Sequence, residues 1–262
     1  MTKKLHGLMP LFVALGITAC SSSGGSENNH TSNTINSSNT TNSSNSIHLA
    51  THFDDYYLED RENVSPTNDN EIDNIEDELD KILVLDGSGY KKANFTTNEA
   101  SYDVYAVNLN DSAYSIMISH NREKDFARLD TANDSTKGDV LDTLSGKATY
   151  IGTALLVDQN HNITTDGTVK LEADFTNKNI SGEIKNNVQN ITLNNAKISK
   201  ATNVTDSSDN FISFSGTATT NTGFSGDYSG SFAGKNANEV TGIAVLQKGD
   251  EKLGAAFGGT KQ

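Results

Sequence analysis

The chain has 262 residues, with 34 acidic against 20 basic side chains, a net charge of −14, no tryptophan, two prolines and 34% hydrophobic residues. Such a chain is polar with a modest core, and its acidic excess excludes nucleic-acid binding by phosphate neutralisation, which needs clustered lysine and arginine. A single cysteine, Cys20, cannot form an internal disulfide and needs another explanation.

Residues 1–19 read as an export signal, in which Lys3 and Lys4 precede LMPLFVALGITA, an apolar run too short to span a bilayer. The run ends in Ile17-Thr18-Ala19-Cys20, which resembles the lipobox of bacterial lipoproteins. That resemblance implies cleavage before Cys20 and acylation of its thiol with diacylglycerol, with palmitate as a typical chain. Cleavage leaves 18 basic against 34 acidic residues, so the mature chain carries about −16 and is repelled by anionic head groups; the acyl chains must do the anchoring. Residues 20–52 follow as the lipidated cysteine and a tether. Residues 21–47 are almost entirely Ser, Asn, Thr and Gly, which cannot bury enough apolar surface to order themselves. As a flexible coil the tether reaches about 30 Å on average. Its N-x-S/T triplets read as an Asn-rich linker rather than as glycosylation sites.

Residues 53–145 read as a β-rich N-terminal domain with one short acidic helix. Between Asn68 and Asp86, Ile72, Ile75, Leu79 and Ile82 recur at three- and four-residue steps with acids between them, the signature of an amphipathic helix. The carboxylates read as its solvated face, since no Asp-x-Asp-x-Asp-Gly calcium loop is present. SYDVYAVNL at 101–109 and AYSIMISH at 113–120 read as a hairpin turning at Asn110-Asp111-Ser112, with one face buried and one wet. Tyr102, Val104 and Ala106 share a face of the first strand, and Tyr114, Ile116 and Ile118 a face of the second. Residues 121–146 are charged and rich in Gly, Thr, Ser and Asp, with DTANDSTKGD as the expected loop and a domain boundary near Ser145.

From Gly146 to Gln262 the chain breaks into eight short alternating segments with turn signals at DQNHN, TNK, SSDN, NTG, GKNAN and KGDE, which predict an eight-stranded antiparallel β-barrel. The fold class is therefore all-β with a short helix. Glycines stud GDYSGSFAGKNANEVTGIAV at 226–245, and a small barrel needs them where strands kink or a facing aromatic requires room. Their spacing does not match a phosphate-cradling G-x-G-x-x-G, and no helix follows.

ATYIGTA at 148–154, LEADFTNKNISGEI at 171–184, GSFAGKNANEVTGIA and the terminal GAAFGGTKQ resemble the C-terminal eight-stranded barrel of surface lipoproteins related to transferrin-binding protein B and factor H binding protein. The shared pattern G-x-F-x-G-x-x-A-x-E-x-x-G falls here on Gly230, Phe232, Gly234, Ala237, Glu239 and Gly242. The resemblance covers about 115 residues and is weaker upstream, where the N-terminal half has diverged. It implies a lipoprotein of the outer membrane, carried to the cell surface by a dedicated translocator, that binds a host plasma protein: transferrin, haemoglobin or complement factor H. No ligand-contacting motif of the family transfers onto this sequence. A passive adhesin or surface spacer is the alternative from another class.

Candidate chemistry is sparse. No histidine forms a zinc-ligand spacing, no G-x-S-x-G turn exists, and neither a catalytic constellation nor a metal site is assigned; the chain reads as a non-enzyme. His120, at the end of the second hairpin strand near Met117 and on a hairpin with Tyr102, Tyr105 and Tyr114, is the one candidate for haem ligation. Haem capture by relatives makes that alternative concrete.

Overall fold

The computed structural model describes residues 52–58, 69–121, 125–202 and 210–262; the leader, Cys20 and the tether lie outside the described residues. Five strands, β1 (His52–Tyr57), β2 (Gly89–Thr96), β3 (Ala100–Asn108), β4 (Ser112–Asn121) and β5 (Phe126–Asn133), form an open antiparallel sheet in the order β1-β5-β4-β3-β2. One helix, α1 (Asp69–Ile82), packs on it. Eight more strands close a barrel: β6 (Lys147–Asp158), β7 (Ile163–Asp174), β8 (Asn179–Lys185), β9 (Asn190–Thr202), β10 (Asn210–Thr220), β11 (Ser225–Ala233), β12 (Glu239–Lys248) and β13 (Glu251–Lys261). The last strand pairs with the first, Lys261 opposite Tyr150, so the barrel has no edge. The N-terminal part is thus an open handle-like sheet rather than a second barrel.

The periodic apolar residues of α1 bury as their spacing predicts, with Ile75, Leu79 and Ile82 against Tyr102, Val104, Ala106 and Met117 of the sheet. Side chains from the sheet fix both ends of the helix. At its start, Glu71 accepts hydrogen bonds from the hydroxyls of Thr97 and Tyr102, and at its end Asn108 Nδ2 donates to the Ile82 carbonyl at 2.9 Å.

The opposite sheet face is equally dry. Val107, Tyr114, Ile116, Ile118 and Leu129 pack on Leu155, Val157, Ile243 and Ala256, which point outward from the barrel wall. This corrects the expectation of a one-sided sheet. The pairs Tyr102–Ser119 and Val107–Tyr114 show that the Tyr102 set faces the helix while the Tyr114 set faces the barrel. The loop expected at DTANDSTKGD is corrected too, because its first four residues, Asp130–Asn133, end β5, a fully buried strand between β1 and β4. Arg128 and Asp130 made that stretch look solvated, yet Arg128 Nε donates to Asp130 Oδ1 at 2.6 Å and the pair is buried.

The family-like pattern of the last strands builds both the barrel core and its junction with the sheet. Phe232 stands at the centre of the interior, with ring centroids 5.3–5.6 Å from Tyr150, Phe175 and Phe214. At Gly230 an added Cβ would come within 2.5 Å of the Phe214 ring, and at Gly242 within 2.6 Å of the Phe257 ring, so these glycines make room for facing aromatics. Ala237 sits buried at φ 54°, and its carbonyl accepts the Tyr150 hydroxyl at 2.6 Å. Gly234, at φ 77°, turns its backbone against the Asp111 carboxylate.

Glu239 is the junction itself. It is 2% exposed, and its carboxylate accepts from the backbone N–H of Asn110 at 3.0 Å, the N–H of Asp111 at 2.9 Å and the Ser112 hydroxyl at 2.8 Å, which together form the β3–β4 turn. Burial still raises its pKa above the ordinary value against the pull of those three donors. The segment after β5 continues the junction: Thr136 N–H donates to the Phe232 carbonyl at 2.8 Å, and Ile212 N–H to the Thr136 carbonyl at 3.1 Å. A 3-10 turn, Gly138–Asp142, then drops Leu141 into the barrel core. Sheet, helix and barrel form one compact unit.

Candidate interaction surface

A barrel of eight strands is just wide enough for side chains to fill. Here Tyr150, Phe175, Phe214, Tyr228, Phe232 and Phe257 fill it, all buried. The open surface of the molecule lies outside the barrel, and the register of the sheet shows which of its faces is uncovered. β4 and β5 lie over β12, β13 and β6, which leaves the barrel-side face of β2 and the outer half of β3 uncovered. By the pairing of β2 with β3 and β3 with β4, that face carries Tyr90, Lys92, Asn94, Asp103, Tyr105 and His120. Tyr90 is 53% exposed, one of three exposed large apolar or aromatic side chains among the described residues.

The patch is tied together electrostatically. Lys92 Nζ lies 4.7 Å from the centroid of the Tyr105 ring, and its hydrogen bond with that tyrosine raises the lysine pKa. His120 Nε2 lies 3.5 Å from Asp103 Oδ2, with both side chains partly exposed. Two aromatic rings with a cation, an anion and a histidine at their margin are the chemistry of protein contact surfaces, where tyrosine offers large area at little entropic cost.

The four residues proposed from the sequence as a ligand site do not converge. Tyr102 is buried on the helix face with its hydroxyl spent on Glu71, and burial pushes its pKa well up. Tyr114 is buried on the barrel face, where its hydroxyl donates to the Thr153 carbonyl at 2.8 Å. Only Tyr105 and His120 share an open face, and the four-residue offset between their register positions separates them by about 14 Å along the strands. The haem reading set His120 beside these aromatics and Met117, whereas Met117 and Tyr102 are buried on the helix face and Tyr114 on the barrel face.

Two further recesses were not legible in the sequence. The first, of about 80 Å³, lies between α1 and the sheet and is lined by Asp55, Glu76, Asp80, Arg128 and Asp130 among others. Arg128 bridges Asp130 at 2.6 Å and Glu76 at 2.8 Å. Burial, with Asp55 and Glu76 adding to it, pushes the Asp130 carboxyl up to about 6 against the pull of Arg128. The second is a shallow trough of about 430 Å³ on the outer wall of β7–β9, lined by Lys170, Glu172, Ser181, Gly182, Asn194 and Asn195 among others. It lies where β9 carries an irregularity in its pairing with β8, and from inside the barrel the Tyr228 hydroxyl donates to the Asn194 carbonyl at 2.5 Å.

No group of three metal-capable side chains occurs among the described residues, and no described helix is long and apolar enough to cross a membrane.

The fold is a barrel and handle, with a solid barrel packed against a two-sided sheet whose margin is open. Residues 139–244, from the 3-10 turn into β12, match the family described as factor H binding protein, C-terminal. Among solved structures, a double mutant of the vaccine antigen transferrin-binding protein B from Haemophilus parasuis aligns with a TM-score of 0.51 at 24% identity, over 66% of this chain and 37% of that one. A single mutant of the same antigen gives 0.50 at 23% identity, over 69% and 39%. The N-lobe of lactoferrin-binding protein B from Moraxella bovis gives 0.39 at 14% identity, over 82% and 91%. This chain spans less than two-fifths of the length of the two transferrin-binding structures. Among curated proteins, none matches it.

Proposed function

We propose that this chain is a lipid-anchored protein of the outer-membrane surface that binds a host plasma protein, without catalysis, through the exposed β2–β3 face and the neighbouring barrel loops. Transferrin, haemoglobin and factor H are the candidate partners, and a surface-lipoprotein translocator is the expected export partner. The observation that carries the reading is the pairing of a barrel that matches the factor H binding protein C-terminal family, its interior filled, with an open tyrosine–lysine face on the sheet beside it. A filled barrel has no room to carry a small ligand, so recognition falls to the outside. Export, acylation of Cys20 and the Ser/Asn-rich tether complete the account as proposals from the sequence.

The test is to immobilise the unlipidated chain from Ser21 onward, pass host plasma with lysed red cells over it at near-physiological salt, and identify what is retained. One abundant plasma protein, lost when Tyr90 and Tyr105 are both replaced by alanine, is the expected result. Retention of nothing above a control barrel overturns the reading.

A further inference from the structure

The barrel is closed, so among the described residues open strand edges exist only in the five-stranded sheet, at β1 and at β2. The β2 edge runs Gly89-Tyr90-Lys91-Lys92-Ala93-Asn94-Phe95-Thr96 with an unbroken register to β3, no bulge and no proline. The direction of its backbone groups follows from the hairpin that closes it. Thr97 N–H donates to the Ala100 carbonyl at 2.9 Å, which makes Thr97–Ala100 a hydrogen-bonded pair. In an antiparallel ladder such pairs alternate with non-bonded ones. The odd-numbered residues of β2 therefore bond to β3, and the even-numbered ones, Tyr90, Lys92, Asn94 and Thr96, turn both N–H and C=O away from it. All four are exposed, and no described element pairs with them.

We propose that this edge accepts an extended acidic segment of the bound protein as a sixth strand. The identity of that protein rests on the host-protein reading above; the capacity of the edge does not. Three features select the occupant. The even-numbered backbone groups present a strand-length row of donors and acceptors at the spacing another strand would match. Consecutive lysines, Lys91 and Lys92, place a positive charge on each face of the edge in a chain that is otherwise strongly acidic, so an incoming strand with carboxylates meets a cation whichever face they take. Lysines on an edge strand ordinarily guard against pairing with a second copy. They do so here as well, because antiparallel pairing of β2 with itself would bring the two lysines of each copy against those of the other. The same pair therefore keeps the edge free of self-association and favours an acidic partner. Tyr90 and Tyr105 flank Lys92 on the barrel-side face and would cover the apolar parts of the added strand.

The probe is a synthetic octapeptide alternating threonine with glutamate, titrated into the 15N-labelled chain from Ser21 onward, with an otherwise identical lysine-containing peptide beside it. Saturable shifts and slowed exchange at the amides of Lys92 and Asn94, with the Lys91 and Ala93 amides largely unmoved, are expected from the glutamate peptide alone. Asn94→Pro removes an outward N–H without removing a bond to β3, and it should abolish binding. Lys91→Glu with Lys92→Glu should weaken it at least tenfold, and keeps the proposal testable should the proline variant fail to fold. Equal response of odd and even amides, equal response to the lysine peptide, or unchanged binding by the folded proline variant overturns the proposal. Where plasma yields a retained protein, undiminished retention by both variants overturns strand addition and leaves the host-protein reading standing. Where plasma yields nothing while the glutamate peptide binds as described, the host-protein reading falls and the capacity of the edge stands.

Discussion

Replacing Glu239 by alanine removes the acceptor that holds the β3–β4 turn on the barrel, and its cost can be worked from the contacts. Two backbone N–H groups and one hydroxyl, at 2.8–3.0 Å, lose a charged acceptor in a site that is 2% exposed. A hydrogen bond to a charged group contributes about 1.5–3 kcal/mol. Against this stands relief from burying the carboxylate, the cause of its raised pKa, and water entering the vacated space would satisfy part of the turn. The balance is a loss of about 2–4 kcal/mol for Glu239→Ala and roughly half that for Glu239→Gln, which keeps one acceptor oxygen. Urea unfolding measures the loss, and amide exchange locates it, with the Asn110 and Asp111 amides accelerating before the rest of β3 and β4. A change within about 0.5 kcal/mol, or a larger loss with no selective exchange at that turn, would refute Glu239 as the junction.

Other consequences follow from the same packing. Arg128→Met leaves Asp130 buried without its cation and should cost about 3–5 kcal/mol, whereas the double variant with Asp130→Asn should cost clearly less than the two singles summed; equilibrium unfolding decides. Asp130 also sets a pH slope. Its folded pKa, about 6, is raised above the ordinary carboxyl value, so the folded state holds a proton that the unfolded state releases. This contribution to stability is therefore largest at and below about pH 4 and fades as pH rises through 6, and Asp130→Asn should flatten that part of the profile. Gly230→Ala drives a methyl into the Phe214 ring and the facing backbone, and should lower stability by about 1–3 kcal/mol in thermal or urea unfolding. Tyr114→Phe removes the bond to the Thr153 carbonyl and should cost about 1 kcal/mol.

Legibility in the sequence followed the range of the interactions. The barrel strands and α1 were readable because turn residues and apolar periodicity are local signals. β5 was not, since Arg128 and Asp130 neutralise each other only once folded, and β2 was not, because Lys91 and Lys92 sit in a strand with one open edge. The two-sided burial of the hairpin depends on the register that sends Tyr102 and Tyr114 to opposite faces, which the alternation of either strand alone does not fix. Glu239 was visible as part of a pattern, yet the turn it holds lies more than 120 residues earlier in the chain. The four residues proposed as a ligand site are separated for the same reason: the register buries Tyr102 against the helix and Tyr114 against the barrel and leaves Tyr105 and His120 on the open margin.

The most direct test of the central claim is a hydrogen-exchange footprint of the chain, from Ser21 onward, in complex with whichever plasma protein it retains. The account predicts protection centred on residues 89–105 and the neighbouring barrel loops, with the outer wall of β7–β9 unchanged. Protection confined to the β7–β9 wall, or no retained protein to footprint, would contradict it.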